Sequence, residues 1–197
     1  VPPRRTVPAI LSGLAIVTGL VLVSCGGSSS APVTPQSGPV DGAATVAGLH
    51  PQGETATGLK VIRVVDGDTL HVRLDGREVT VRLIGINTPE TVKPDTPVEC
   101  FGPEASDYAK STLAGQRVTL EFDDSQGRLD QYGRTLAYVW LEKSDGQLSF
   151  VNLDEVSRGY ARERQYGPTP YAWKSTFRAA ADSARTSGAG LWGACPA

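Results

Sequence analysis

The chain has 197 residues, with 19 basic and 21 acidic side chains and a formal net charge of −2. That balance excludes binding to nucleic acid through overall positive charge, so any polyanion must be met by a local basic patch. With two histidines and three cysteines and no cluster among them, nothing favours a zinc site.

Arg4 and Arg5 precede an apolar run from about Val7 to Val23, which ends in Leu22-Val23-Ser24-Cys25-Gly26. A charged start, an apolar middle and small residues at the end make a secretory signal. The run is short of the ~20 apolar residues of a membrane span, and an uncleaved anchor helix is the alternative. The Leu-Val-Ser-Cys ending resembles a bacterial lipobox. It implies cleavage before Cys25, a lipid on the Cys25 sulfur, and anchoring at the outer face of a bacterial cell membrane. Removing residues 1–24, which hold Arg4, Arg5 and no acid, leaves 17 basic side chains (19 less two) against 21 acidic, or −4. The candidate local patch is Arg63, Arg82, Arg128, Arg134, Arg158, Arg162 and Arg164. Residues 26–58 are rich in Gly, Ser, Pro, Thr and Ala. Such a stretch buries too little apolar surface to offset its ordering entropy and reads as a flexible tether. The expected organisation is a signal over 1–24, a lipidated cysteine and linker over 25–58, and one domain over 59–197.

Within that domain, Leu59–Val65 is apolar and β-branched, and Thr69–Leu74 follows an Asp-Gly-Asp turn. Asp75-Gly76 reads as a hairpin turn into Glu78–Ile84, so three strands form an antiparallel meander. Pro103 opens a helix to Leu113, with Ala105, Tyr108, Ala109, Thr112 and Leu113 at helical spacing. Arg117–Phe122 and Arg134–Leu141 read as strands. Val151–Arg158 is a short helix stopped by Gly159, and Pro170–Arg185 a longer one carrying Trp173, Phe177, Ala180 and Ala184 on one face. The pattern is α+β, mainly β. It fits a five-stranded Greek-key barrel of the OB type with about three helices, and on pattern alone other α+β folds fit too.

Three segments carry the chemistry: Asp66-Gly67-Asp68-Thr69, then Arg82-Leu83-Ile84-Gly85-Ile86-Asn87-Thr88-Pro89-Glu90-Thr91, then Asp130-Gln131-Tyr132-Gly133-Arg134. They supply two arginines, a carboxylate at a tight turn and an acidic cluster after a strand, the equipment for holding a divalent cation and a phosphodiester together. In this order and spacing they resemble the staphylococcal nuclease (thermonuclease) family. The likeness runs from about Leu59 to Trp192, with Phe101-Gly102-Pro103-Glu104-Ala105-Ser106 and Leu136-Ala137-Tyr138 as further matching stretches.

The resemblance implies the OB-type barrel and a role for each residue. Asp68 becomes a direct Ca²⁺ ligand, a hard cation taking oxygen donors, where the bland reading is ordinary Asp-Gly-Asp turn chemistry. Thr88 offers its backbone carbonyl to the metal. Asn87 stands where the best-known family member has Asp, which leaves a neutral amide oxygen in place of a carboxylate. Glu90 matches the catalytic glutamate that positions or deprotonates the attacking water, against an exposed loop carboxylate. Arg82 and Arg134 match the phosphate-gripping pair, whose planar forks suit phosphate oxygens. Solvated surface arginines are the plain alternative. Tyr132 contacts the nucleotide. Tyr166 is a base-stacking residue or a core or lid residue, and Arg162 with Arg164 either tracks the backbone or lies on a solvated strand edge. Cys100 and Cys195, an even pair in an exported domain, suggest a disulfide. It would close a long loop, for which the chain-entropy model gives ~4–5 kcal/mol; two free thiols are the alternative.

The family implies a monomeric, exported, Ca²⁺-dependent hydrolase that cuts DNA and RNA, prefers single strands and leaves 3′-phosphate ends. A non-catalytic nucleic-acid or protein-binding module on the same fold is the rival, and a phosphodiesterase acting on small nucleotides a third possibility.

Overall fold

The computed structural model describes residues 48–91 and 96–195. The expected signal and Cys25 lie outside the described residues, as does most of the linker. Strands β1 (Thr55–Val64), β2 (Thr69–Leu74) and β3 (Arg77–Leu83) form the predicted meander. Asp75 and Gly76, which join β2 to β3, both have positive φ (50° and 76°), the backbone a two-residue hairpin turn of matching twist requires.

β1 begins earlier than its apolar run predicts. Thr55 and Ala56 pair with Glu121 and Leu120 of β5 (Arg117–Glu121). The Glu121 carboxylate also accepts the N–H groups of Gln52 (2.9 Å) and Gly53 (3.1 Å). This partner lies far along the chain, so local alternation does not reveal it.

β5 pairs with β6 (Thr135–Glu142), and β6 runs parallel to β3 with Val81 opposite Thr135 and Leu83 opposite Ala137. The circuit β1-β2-β3-β6-β5 therefore closes on itself. A five-stranded barrel closed by one parallel pair is the expected OB-type topology, and closure removes the exposed strand edges that invite aggregation. A short strand not read from the sequence, β7 (Leu148–Phe150), adds to β6.

Inside lie Val72, Val81, Val118, Leu120 and Val139, all fully buried. The Trp140 and Phe150 rings, also fully buried, stack 4.1 Å apart. Helices α1 (Gly102–Leu113), α2 (Val151–Ser157) and α3 (Lys174–Ser187) cover the barrel, and a single turn, α4 (Leu191–Ala194), ends the described chain. α3 starts four residues later than the Pro170 signal suggests. Tyr171 and Trp173 are drawn into the interior instead: Tyr171 Oη donates to Glu163 (2.8 Å) and Trp173 Nε1 to Glu121 (3.2 Å). Cys100 and Cys195 are disulfide-bonded with Cα atoms 5.9 Å apart, tying the entry of α1 to the end of α4.

One buried side chain positions the segment that matters for function. Asn152 of α2 donates through Nδ2 to the Ile84 carbonyl (2.9 Å) and accepts the Val139 N–H (2.8 Å). A buried carbonyl and amide would otherwise lack partners, at about 1–3 kcal/mol each. Asn152 thus fixes where the chain leaves β3, just before residues 86–90.

Candidate active site

The chain after β3 makes a two-residue strand, β4 (Ile86–Asn87), which pairs antiparallel with β8 (Arg162–Glu163), Asn87 opposite Arg162. Thr88 is thereby brought against the turn between β1 and β2. A Cβ on Gly67 would sit 2.5 Å from Thr88 Cγ2, so Gly67 is required by close approach. The Thr88 N–H donates to Asp68 Oδ2 (3.0 Å), and Thr69 Oγ1 donates to Asp68 Oδ1 (3.0 Å). Two segments about 20 residues apart in sequence are zipped into one wall.

Asp68, Arg82, Asn87, Thr88, Glu90, Tyr132, Arg134 and Tyr166 all line a single cleft of about 900 Å³. Every catalytic, metal and substrate-binding candidate read from the sequence is in that cleft. Of the candidate arginine patch, Arg82, Arg134 and Arg164 line it. Arg63 instead bonds His71, Arg128 pairs with Glu54, and Arg158 pairs with Asp154. Sequence alone does not show which arginines already have local carboxylate or imidazole partners.

The two candidate phosphate-binding arginines differ in kind. Arg82 is only 7% exposed. Its Nη1 donates to the Leu83 (2.8 Å) and Ile86 (3.1 Å) carbonyls, and its Nη2 meets Asp68 Oδ2 (3.0 Å), Asn87 Oδ1 (3.3 Å) and Tyr166 Oη (3.0 Å). It is a pin that holds β3, β4 and the turn together, with its Nη2 edge facing the cleft groups. Arg134 is half-buried. Its Nε donates to Asp130 Oδ2 (2.6 Å), and its terminal nitrogens make no hydrogen bond among the described residues. That leaves an oriented two-nitrogen fork at the cleft.

Asp130 is the orienting residue the sequence reading quoted but gave no role. Its Oδ1 accepts the backbone N–H groups of Tyr132 (2.9 Å) and Arg134 (3.0 Å). Burial pushes its carboxyl up, but the Arg134 and Tyr132 bonds outweigh that and hold it below the usual range. The signal for it was an Asp at the head of a Gly-containing turn, where the side chain caps its own backbone.

Tyr132 is 73% exposed and Tyr166 52% exposed, so Tyr166 is not a core residue. The Tyr166 hydroxyl donates to Asn87 Oδ1 (2.6 Å), and the Arg82 and Arg164 guanidinium carbons lie 5.4 Å and 5.7 Å from its ring centre. This places an aromatic face, backed by two cations, at the cleft rim. Glu90, half-buried, accepts the Thr91 N–H at Oε1 (2.9 Å), and its own N–H donates to Glu99 Oε2 (3.2 Å).

The carboxylates and carbonyls suit a hard divalent cation. Asp68, the Asn87 amide oxygen and the Thr88 carbonyl present oxygen donors, with Asp66 beside them. Burial first, and then the neighbouring Asp68 charge, pushes the Asp66 carboxyl up to about 6. Among the described residues no group of three or more His, Cys, Asp or Glu side chains could hold a metal ion. A cation here would therefore rest on few charged ligands. The Asn87 Nδ2 also donates to the Thr88 carbonyl (3.3 Å), so one candidate donor partly covers another.

Glu155 of α2 was not singled out by sequence. It is fully buried, and neither carboxylate oxygen has a hydrogen-bond partner. Burial, then the charges of Asp68, Asp154 and Asp66, hold its carboxyl well above the usual range. Folded Glu155 keeps a proton that the unfolded chain releases near pH ~4.3. Stability is therefore undiminished below that pH and falls as pH rises toward the folded value. Glu155→Gln is expected to be more stable than the parent at pH 8 and to converge with it toward pH 4. Urea unfolding across that range checks it; parallel curves would show that Glu155 is partnered or ionised in the folded protein.

A family model for staphylococcal nuclease homologues matches residues 80–194. Thermonuclease from Staphylococcus hyicus is 40% identical over 183 residues, covering 93% of this chain and 97% of that protein. Thermonuclease from Staphylococcus intermedius is 50% identical over 108 residues, 55% of this chain and 60% of that protein. Endonuclease YncB from Bacillus subtilis is 30% identical over 173 residues, 80% and 82% of the two chains.

Proposed function

This chain belongs to the staphylococcal nuclease family and is a phosphodiester-hydrolysing nuclease; from that premise we propose a Ca²⁺-dependent enzyme that cuts unpaired DNA and RNA and leaves 3′-phosphate ends. The observation that carries this reading is the convergence, in one cleft, of an oxygen-donor wall, a half-buried glutamate and two arginines. Asp68, Asn87 and the Thr88 carbonyl would hold the cation. When bound, Ca²⁺ supplies positive charge beside the phosphodiester and draws electron density from it.

The protein's own groups do the rest. The Arg134 fork, held by Asp130, binds two phosphoryl oxygens and neutralises the charge that grows there as phosphorus becomes five-coordinate. Arg82, whose Nη2 holds Asp68, Asn87 and Tyr166, adds positive charge beside the phosphoryl group. Glu90 holds a water through its carboxylate and accepts its proton as the water attacks phosphorus, while the bond from phosphorus to the 5′-oxygen breaks and that oxygen takes a proton from solvent. Tyr166 stacks on a base from a strand whose bases are unpaired. Analysis of product ends tests the cleavage direction: 3′-phosphate termini are expected, and 5′-phosphate termini would overturn it.

Asn87 sets the metal affinity. Asn87→Asp adds a formal charge at the same reach and removes the Nδ2 donor that covers the Thr88 carbonyl. The Arg82 and Tyr166 bonds to Oδ1 are ones a carboxylate can still accept. Ca²⁺ binding should tighten roughly 10-fold, the factor that about 1.4 kcal/mol of added attraction gives. Calorimetry with Ca²⁺ measures it. An unchanged or weaker affinity would mean that Asn87 only shapes the turn.

We also propose that the protein works outside the cytoplasm, lipid-anchored through Cys25; the lipobox sequence supports this. Lipid labelling that persists in Cys25→Ala would refute it.

A further inference from the structure

A second, smaller cavity is built partly on β8. It has a volume of about 240 Å³ and is lined by Arg162, Arg178, Arg185 and Trp192, together with Glu163, Ala181 and Asp182. Pockets that enclose whole small molecules run to ~300–1,000 Å³, so this one is sized for a group.

Its charge is unusual in a chain of net −2. The Arg162 and Arg178 side chains form no ion pair or hydrogen bond among the described residues, unlike Arg128, Arg134 and Arg158. Two acids also line it: Glu163, which accepts the Tyr171 hydroxyl (2.8 Å), and Asp182, which pairs with Arg185 (3.7 Å), so the three arginines leave a net charge of about +1 with Arg162 and Arg178 unpaired among the described residues. Like charges gathered in a concavity repel one another and favour an anion between them. The Arg162 and Arg185 guanidinium carbons lie 5.6 Å and 4.5 Å from the Trp192 ring centre. The Trp192 Nε1–H is buried and has no acceptor among the described residues.

The cavity is also close to the cleft. Arg162 pairs across the β4–β8 ladder with Asn87, and Arg164, two residues on, lines the cleft itself. Two residues of extended chain span about 6.6 Å, so Arg164 and Arg162 make steps of one path between the cavities.

We propose that this pocket is a phosphate subsite for the same strand that occupies the cleft, holding its backbone beyond the scissile bond. It rests on the nuclease reading and adds a length dependence to it. A strand long enough to cross β8 gains a second anchor, and a dinucleotide does not.

The test uses Arg178→Glu, since Arg178 is exposed and its side chain makes no hydrogen bond or ion pair among the described residues. Steady-state cleavage and equilibrium binding are measured on a long single-stranded DNA and on a dinucleotide, binding being read in a Glu90→Gln background to silence turnover. For the long strand, Arg178→Glu should weaken binding roughly 10-fold and lower the slope of log affinity against log salt by about 0.7 per lost phosphate contact. Dinucleotide binding and cleavage should not change. An unchanged affinity and salt slope on the long strand would overturn the subsite, as would an equal loss on both substrates. Failure of the unaltered chain to cleave either substrate contradicts the catalytic reading instead, and the binding measurement then still decides on the pocket.

Discussion

Arg134→Lys is expected to lower turnover on single-stranded DNA by roughly 10²–10³-fold, the usual cost of removing one transition-state donor. Folding stability should change by no more than about 1 kcal/mol, the range of a partly exposed ion pair. Arg134 reaches the cleft with its Nε fixed on Asp130 and its terminal nitrogens unengaged by protein. A lysine keeps the charge but offers a single point donor, so it cannot bind two oxygens while also bonding Asp130. The control is Arg82→Lys. Arg82 holds two backbone carbonyls and three side chains, so that change should cost stability as well as turnover. Near-parent turnover in Arg134→Lys would remove Arg134 from the phosphate site.

Glu90→Gln should be equally severe, lowering turnover by about 10²–10⁴-fold, the range of general-base help. The substitution is nearly isosteric. Its amide oxygen can still accept the Thr91 N–H, and the backbone bond to Glu99 is untouched. What disappears is the basicity that takes a proton from water. Strand affinity should change far less than turnover. If binding and turnover fall together, Glu90 shapes the loop and does not act on the water.

The barrel and cleft were legible where information is local. β2 spans the residues read for it, Thr69–Leu74 between the Asp-Gly-Asp turn and Asp75-Gly76, and the latter marks the turn that follows. The motif residues are legible because short turns present them: Asp68 after Gly67, Asn87 to Glu90 after β3, Tyr132 and Arg134 around Gly133. What stayed hidden depends on partners distant in sequence. The early start of β1 needs Glu121, and the exit from β3 needs Asn152, 68 residues from the Ile84 carbonyl it holds. Arg82 reads as one polar residue in an apolar strand; that its guanidinium is buried follows only once β4 and the Asp68 turn close over it. Glu155 is hidden for a different reason. An acidic residue in a short amphipathic helix reads as solvent-facing, and only α2's packing beneath the cleft reverses that. The late start of α3 has the same origin, since Tyr171 and Trp173 are themselves buried and find acceptors in Glu163 and Glu121 that outweigh the helix signal of Pro170.

The most direct measurement is cleavage of single-stranded DNA by the 197-residue chain as Ca²⁺ is titrated from chelator-depleted to saturating, over a wide pH range. Cleavage should appear with Ca²⁺, stop on chelation and return on Ca²⁺ addition. Strand binding without cleavage at every Ca²⁺ concentration and pH would contradict the enzyme and leave a binding module on the same barrel.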